Sequence, residues 1–257
     1  MRCTSCGLVQ MNPQPVKEEI IARYSSVFGK DYLSYEIENE ASFLKLQQLA
    51  LNDAGFDKLE KEFFLRAEKQ QGEAEEPPSV LDIGCATGTL LAFLRGRGWR
   101  VTGVEISPSA QYAQKERALD VRSRPLEECA FADNSFDVVL ASHLIEHLNA
   151  PAPFLAEVRR VLKNNGRVFL TTPNISGFQA RLFGGRWRSA IFDHLYLYSA
   201  RTLKKMLKNA GFLVEETHTW GGLAAGMAPS WLKKGADFWA KRLGFGDVMI
   251  VRAKKSE

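Results

Sequence analysis

No apolar run in the 257 residues reaches the roughly 18–20 needed to cross a bilayer as a helix, so no transmembrane helix is expected. The opening MRCTSCGLVQMNPQP lacks the long apolar core of a secretory signal, and a cytoplasmic location is the expectation. Cysteine is scarce. The four stand at 3, 6, 85 and 129, too few for a disulfide framework in a chain this long, which fits a reducing compartment. Histidine is equally scarce, with four in all, at 143, 147, 194 and 218. No internal repeat is visible. What the chain does have is an ordinary core-forming content, 45% hydrophobic, and a divided charge. Residues 1–150 carry 16 Lys/Arg against 23 Asp/Glu, and residues 151–257 carry 18 against 7. Either the C-terminal half faces something anionic or the two halves attract each other.

Residues 1–15 form a leader with Cys and Pro, and 16–70 have helical spacing, with Phe43, Leu44, Leu46 and Leu49, then Leu59, Phe63 and Phe64 after Gly55. The polar, acidic stretch from Gln70 to Pro78 has the composition of a linker. From Ser79 short apolar strands alternate with helices of about ten residues, which is the pattern of a parallel sheet covered on both faces. The strands are expected at Ser79–Ile83, Arg100–Glu105, Phe136–Ala141, Arg167–Thr171, Phe212–Thr219 and Asp247–Ala253. Helices are expected at Thr89–Arg97, Pro108–Ala118, Pro153–Leu162 and Ala200–Ala210.

The segment Val80-Leu81-Asp82-Ile83-Gly84-Cys85-Ala86-Thr87-Gly88-Thr89 runs a strand into a glycine-rich turn and then a helix. Glycines there let a ligand approach the backbone at the strand's carboxyl end. The next strand ends in Glu105, an acid able to accept both hydrogen bonds of a ribose diol. A phosphate-binding P-loop is excluded, because no Gly-Lys-Ser/Thr follows. A dinucleotide fingerprint fails too, because Gly84, Ala86 and Gly88 are spaced two and two.

The run from Asp82 to Gly88 resembles motif I of the class I S-adenosylmethionine-dependent methyltransferases, with Ala86 where those enzymes usually carry Gly. Val104-Glu105-Ile106-Ser107 resembles their second motif, and Asn134–Val139 the motif entering the fourth strand. His143-Leu144-Ile145-Glu146-His147-Leu148 and His194–Ser199 resemble the ubiquinone-biosynthesis-like members, the methyltransferase type 11/23 group. The resemblance covers residues 79–220 and implies an α/β fold: a Rossmann-like, seven-stranded, mostly parallel sheet with helices on both faces, plus an N-terminal helical extension. It divides the chain into a leader and helical cap, 1–78, and a methyltransferase domain, 79–257. It implies S-adenosylmethionine as cofactor. Asp82, Gly84, Cys85 and Gly88 would shape the pocket for its methionine part. Glu105 would bind the ribose, Ile106 would pack on the adenine, and Ser142 belongs to the same set. Many relatives place an Asp before the adenine contact. Here Pro125-Leu126 stands there, and by the resemblance the Leu126 backbone would take that role.

Two metal patterns compete with this reading. His143-Leu144-Ile145-Glu146-His147 matches H-x-x-E-H, a zinc-peptidase signature. It follows a strand end inside the methyltransferase motif order, so no metal is expected there. Cys3-Thr4-Ser5-Cys6-Gly7-Leu8-Val9 resembles one knuckle of the zinc ribbon that precedes some bacterial relatives. A structural zinc takes four ligands, and the partner pair is missing, so a knuckle remnant without a formed site is expected.

Methyl transfer needs a positioned acceptor and, for a hydroxyl, a base. His194, His147 and His143 are the candidates that titrate near neutral pH. Residues Asn174–Tyr198 are too long for a tight turn and are expected to wall the acceptor side. They offer Phe178, Phe183, Trp187 and Phe192 together with Arg181, Arg186 and Arg188. The expected reaction is O-methylation of a small-molecule or lipid/glycan-precursor acceptor, with an anionic acceptor favoured by the basic half. A nucleic-acid methyltransferase is the alternative. It is disfavoured by the lack of an Asn/Asp-Pro-Pro-Tyr/Phe motif and of an added RNA-binding module. A cofactor-binding protein without catalysis is the third reading. Finally, Ser230–Leu243, read as a helix, puts Trp231, Leu232, Phe238, Trp239 and Leu243 on one side and Lys233, Lys234 and Lys241 on the other. That is either an interfacial helix meeting a membrane or an amphipathic crossover packed on the sheet.

Overall fold

The computed structural model describes residues 1–25, 27–69, 76–222 and 229–256, without the side chains of 27–31, 69, 230–232 and 234. Most of the expected linker, residues 70–75, and the side chains of Trp231 and Leu232 lie outside that description.

The N-terminal part runs through β1 (Val9–Gln10), α1 (Lys17–Ser25), α2 (Val27–Asp53) and α3 (Phe56–Lys69). Then β2 (Ser79–Ile83), α4 (Thr89–Gly96), β3 (Arg100–Val104), α5 (Ser109–Arg117) and β4 (Val121–Arg122) alternate. They lead to β5 (Phe136–Ser142), α6 (Pro151–Val161) and β6 (Leu162–Pro173). The last part holds α7 (Phe178–Phe183), β7 (Tyr196–Leu197), α8 (Ala200–Asn209), β8 (Phe212–Trp220), α9 (Ser230–Leu243) and β9 (Val248–Lys255).

Seven strands form one sheet in the order β4-β3-β2-β5-β6-β9-β8. Pairings from β4 to β6 are parallel, and β9 runs antiparallel between β6 and β8. The expected Rossmann-like, mostly parallel sheet is therefore present. Both faces of β2 are covered, and all five of its residues are buried, which is why Val80 and Leu81 are both apolar and the strand shows no strict alternation. One face carries Leu155 and Val158 of α6 with Leu203 and Leu207 of α8. The other carries Leu51 of α2, Phe56 and Phe63 of α3, and Leu90 and Leu94 of α4, gathered round Trp99. The indole N–H of Trp99 donates to Glu60 Oε1 at 2.8 Å, so α3 is tied to the sheet by a buried polar bond as well as by packing.

Register places the site. Ile83 pairs with Val104 on one side and Ala141 on the other, so the carboxyl ends of β2, β3 and β5 lie in a row. Ligands of open α/β sheets occupy that edge. A second, two-stranded sheet pairs β1 with β7 antiparallel, Val9 opposite Leu197. The leader thus lies along the end of the 174–198 segment, with the Met11 N–H bonded to the Leu195 carbonyl at 2.8 Å. Cys3 and Cys6 sit in a hairpin closed by Cys3 N–H to Leu8 O at 2.8 Å. Among the described residues no cluster of three metal-ligating groups includes them.

Salt bridges cross the two charged halves, Arg160–Asp133, Lys163–Asp137 and Lys241–Asp53 among them. Part of the charge division is therefore internal attraction.

Candidate active site

The turn after β2 is wound by positive φ at Gly84 (75°), Ala86 (50°) and Gly88 (76°). Gly84 and Cys85 both donate backbone N–H bonds to the Val104 carbonyl, at 2.7 and 3.2 Å, which fastens the turn to the end of β3. Gly88 is required twice over. Its φ disfavours a side chain, and a Cβ there would come within 2.5 Å of Leu119 Cδ1. Glu105 completes the arrangement. Its carboxylate accepts the N–H of Ala86 at 3.1 Å and of Ser107 at 2.8 Å, one on each oxygen. Each carboxylate oxygen keeps a further lone pair, the capacity a ribose diol requires.

This corner opens into a cleft of about 1600 Å³. Gly84, Cys85, Glu105, Ile106, Leu126 and Ser142 line it, as do all three candidate histidines. Asp82 and Gly88 do not. They stand behind the wall, Asp82 almost fully buried. Burial, helped by the Glu105 charge, pushes the Asp82 carboxyl up to about 7. Burial also pushes the Cys85 thiol well up, which makes it a packing group and not a nucleophile. The Leu126 carbonyl already accepts the Cys129 N–H at 3.0 Å and retains one lone pair.

The other wall comes from α1 and α2, through Ile20, Tyr24, Tyr32, Glu36 and Glu40. Ser109 Oγ donates to Glu36 at 2.5 Å, and Arg117 grips both oxygens of Glu40 at 2.7 Å. Burial, with Glu105 nearby, raises Glu36 to about 7. Acids held in a partly dry pocket without full countercharge suit a ligand that brings positive charge, as a sulfonium with an ammonium does. The residues present fit S-adenosylmethionine.

At the far end of the cleft the three histidines meet Glu146. The Glu146 side chain has no exposed surface. One of its oxygens accepts Thr172 Oγ1 at 2.9 Å, and the other lies 3.3 Å from His143 Nδ1. Burial raises the Glu146 carboxyl, but His143 beside it, with His147 nearby, outweighs burial and holds the group below the ordinary glutamate range. His143 sits at a positive φ of 52° beside the single turn Ile145–His147, so the pattern is not an α-helical H-x-x-E-H face. His147 Nδ1 is 2.8 Å from the Asp193 carbonyl and 3.0 Å from Tyr24 Oη. His194 Nδ1 is 2.7 Å from the Ser189 carbonyl. Carbonyl oxygens only accept, so Nδ1 carries a proton in both rings, and in the neutral ring Nε2 carries the lone pair. The two rings meet edge to face with centroids 4.8 Å apart. Burial, with His147 adjacent, lowers the His194 pKa. Glu146, His147 and His194 bring ligand atoms within 4.8 Å of one another, the one such cluster among the described residues.

The 174–198 segment holds His194 as one side of this end, and Arg188, Ser189, Ile191 and Asp193 line the cleft with it. Trp187 does not cover the acceptor space. It is buried, with its N–H on Asp247 Oδ1 at 2.8 Å, while Arg188 takes the other oxygen at 2.9 Å. Phe178 and Phe192 face outward. Sequence reading missed the roof, above all Tyr24 against His147 and the Arg23–Asp193 ion pair. The hint was Tyr24, Tyr32 and Tyr35 lying upstream of the core residues Leu44, Ala50 and Leu51 of α2.

A strand-turn-helix corner closed by the Glu105 carboxylate, at the carboxyl edge of this sheet order, defines a class I S-adenosylmethionine-dependent methyltransferase fold. The family model described as a methyltransferase domain matches residues 53–217, more than half of the chain, and the chain belongs to that family. It is similar to a ubiquinone biosynthesis O-methyltransferase of Pseudomonas entomophila, with 34% identity over 102 residues, 37% of this chain and 44% of that protein. It is also similar to a probable S-adenosylmethionine-dependent methyltransferase of Mycolicibacterium smegmatis, with 32% identity over 140 residues, 54% of this chain and 53% of that one. The matches thus span about half or less of these relatives' own lengths. Among solved structures, a possible histamine N-methyltransferase of Thermotoga maritima shares the fold, with TM-score 0.56, 20% identity, and 86% and 97% of the two chains covered. No helix among the described residues is long and apolar enough to cross a membrane.

Proposed function

We propose that this chain transfers a methyl group from S-adenosylmethionine to a hydroxyl of a small-molecule or lipid/glycan-precursor acceptor. The observation that carries the reading is the hydrogen-bonded state of His194. Its Nδ1 proton is committed to the Ser189 carbonyl, so a basic Nε2 is available in the cleft. Bound cofactor supplies a methyl group already activated on a sulfonium. The rest falls to the chain. Glu105 holds the ribose, with Ile106 and Leu126 beside the adenine, and Asp82 stands buried behind the turn. The roof of α1 and α2 keeps water from the transfer path. As the acceptor oxygen attacks, Nε2 of His194 takes its proton. Burial favours the neutral imidazole and keeps it ready near neutral pH. His147, in the same tautomer, is the second candidate. His143, paired with Glu146 and half exposed, is the third.

The O-methyltransferase name of the Pseudomonas relative supports oxygen as the atom methylated. Cytoplasmic location belongs to the same reading; peripheral membrane contact through 230–243 is a separate one. The test is an untargeted search for labelled products in extracts given labelled cofactor. A labelled methyl ether on a small or lipidic molecule is expected. Label in RNA or DNA would move the chain to the nucleic-acid alternative. Cofactor binding with no labelled product would make it a non-catalytic binder.

A further inference from the structure

Among the described residues, helix α9 packs one side on the sheet and leaves the other exposed. Ala240 faces inward, its carbonyl accepting Thr219 Oγ1 at 3.0 Å. Phe238, Trp239 and Leu243 face outward, each more than half exposed. The chain then turns at Gly244, and the Phe245 N–H returns to the Ala240 carbonyl at 2.9 Å. The Phe245 carbonyl in turn accepts the N–H of Phe178, the first residue of α7, at 2.9 Å. From α7 Phe178 and Leu182 also stand out into solvent. Two elements distant in sequence therefore share one apolar ridge, joined through Phe245.

The ridge is interleaved with cations. The Arg181 guanidinium lies over the Phe245 ring, 5.0 Å from its centroid. Arg186 and Arg242 form no ion pair among the described residues. The nearby acids are engaged: Asp237 with Lys233, Asp247 with Arg188 and Asp53 with Lys241. This ridge also belongs to the half of the chain with 18 Lys/Arg against 7 Asp/Glu. Exposed aromatics among unpaired guanidinium groups match the boundary of a bilayer, where rings sit at headgroup depth and cations meet lipid phosphates. The ridge adjoins the cleft, since Phe238 and Lys241 on one side and Ile191 on the other line it.

We propose that the α7–α9 face docks on a bilayer containing anionic phospholipid, so that a lipidic acceptor reaches the cleft from the membrane. The second clause rests on the lipidic branch of the proposed function, and the first does not.

The experiment is flotation of the full chain with vesicles of phosphatidylcholine, alone or mixed with phosphatidylglycerol. The expected result is binding to the mixed vesicles only, weakened by added salt. Trp239→Ser with Leu182→Ser, and separately Arg181→Gln with Arg242→Gln, should each weaken it by about tenfold or more. Cofactor affinity, measured by calorimetry, should be unchanged in both and serves as the control for folding. No flotation, equal flotation with neutral vesicles, or wild-type binding by both variants would overturn the proposal. So would a concentration-dependent dimer that Trp239→Ser disperses, which would make the face a contact between copies. Because the readout is vesicle binding, a failure here leaves the methyl-transfer reading standing. A bound but inactive chain would fail that reading alone.

Discussion

His194 donates its Nδ1 proton to the carbonyl of Ser189 at 2.7 Å, and that single bond fixes which nitrogen of the ring is basic. The expected consequence is a loss of roughly 10²–10⁴ in turnover for His194→Gln, with cofactor affinity unchanged. The pH profile adds a second readout. A base works deprotonated, and burial with His147 nearby lowers this pKa from the ordinary 6.5. Activity should therefore rise with pH through a midpoint below 6.5 and then stay level. Full activity of the variant, or an unfolded one, would return His194 to anchoring the loop.

Glu105 accepts two backbone N–H bonds before any ligand arrives, so its carboxylate is already aimed. Glu105→Ala should lose a charge-assisted interaction of about 1.5–3 kcal/mol, a fall in cofactor affinity of roughly 10- to 150-fold. Calorimetry reads it directly. Unchanged affinity would remove Glu105 from the ribose.

How much of this was legible beforehand differed by element. The β2 turn and Glu105 could be read because backbone geometry demands particular residues there: glycine at φ 75° and 76°, and an acid one strand away. Gly88 shows the limit. The motif names it as pocket, but its missing side chain makes room for Leu119, a contact no local pattern announces. The helix from Pro108 was expected one residue early at its start, and the fifth parallel segment is longer than Arg167–Thr171, running from Leu162 to Pro173. The roof was illegible for a different reason. Tyr24 reaches His147 across 123 positions, and helical spacing in α1 says only that a face is apolar, not what it will cover.

Asp82 predicts a pH dependence of stability. Its folded pKa is about 7, against about 3.9 for an unfolded aspartate. Above about 7 the carboxylate is ionised in both states, and the burial cost is fully present. Between 7 and 4 the folded state binds a proton that the unfolded state does not, so this contribution to stability rises as pH falls, by up to about 1.4 kcal/mol per unit. Denaturant titrations from about pH 7.5 to about pH 5 should show wild type gaining on Asp82→Asn as pH is lowered. A constant difference between the two would mean that Asp82 stays ionised throughout.

Glu146, His147 and His194 decide between proton chemistry and a bound metal. Ligands about 2.1 Å from a tetrahedral zinc lie roughly 3.4 Å from one another. Here the three ligand atoms spread to 4.8 Å, so the cluster is wider than a closed site. One oxygen of Glu146 is also committed, to Thr172 Oγ1, while the other is buried without a hydrogen-bond partner among the described residues, 3.3 Å from His143 Nδ1. The Nδ1–H bonds of both rings point the other way, because anchoring to backbone carbonyls is how metal-ligating histidines are usually held. Distance weighs more, since binding would have to contract the cluster. The expected outcome is turnover that survives a chelator and no stoichiometric metal in elemental analysis of the purified chain. The variant Glu146→Gln separates the roles further. It would abolish metal binding if there were any, whereas in the proton-transfer reading it loosens His143 and leaves the His194 pH profile in place. Zinc or another divalent ion at one per chain, lost in His147→Ala, would replace His194 as a base with His194 as a ligand.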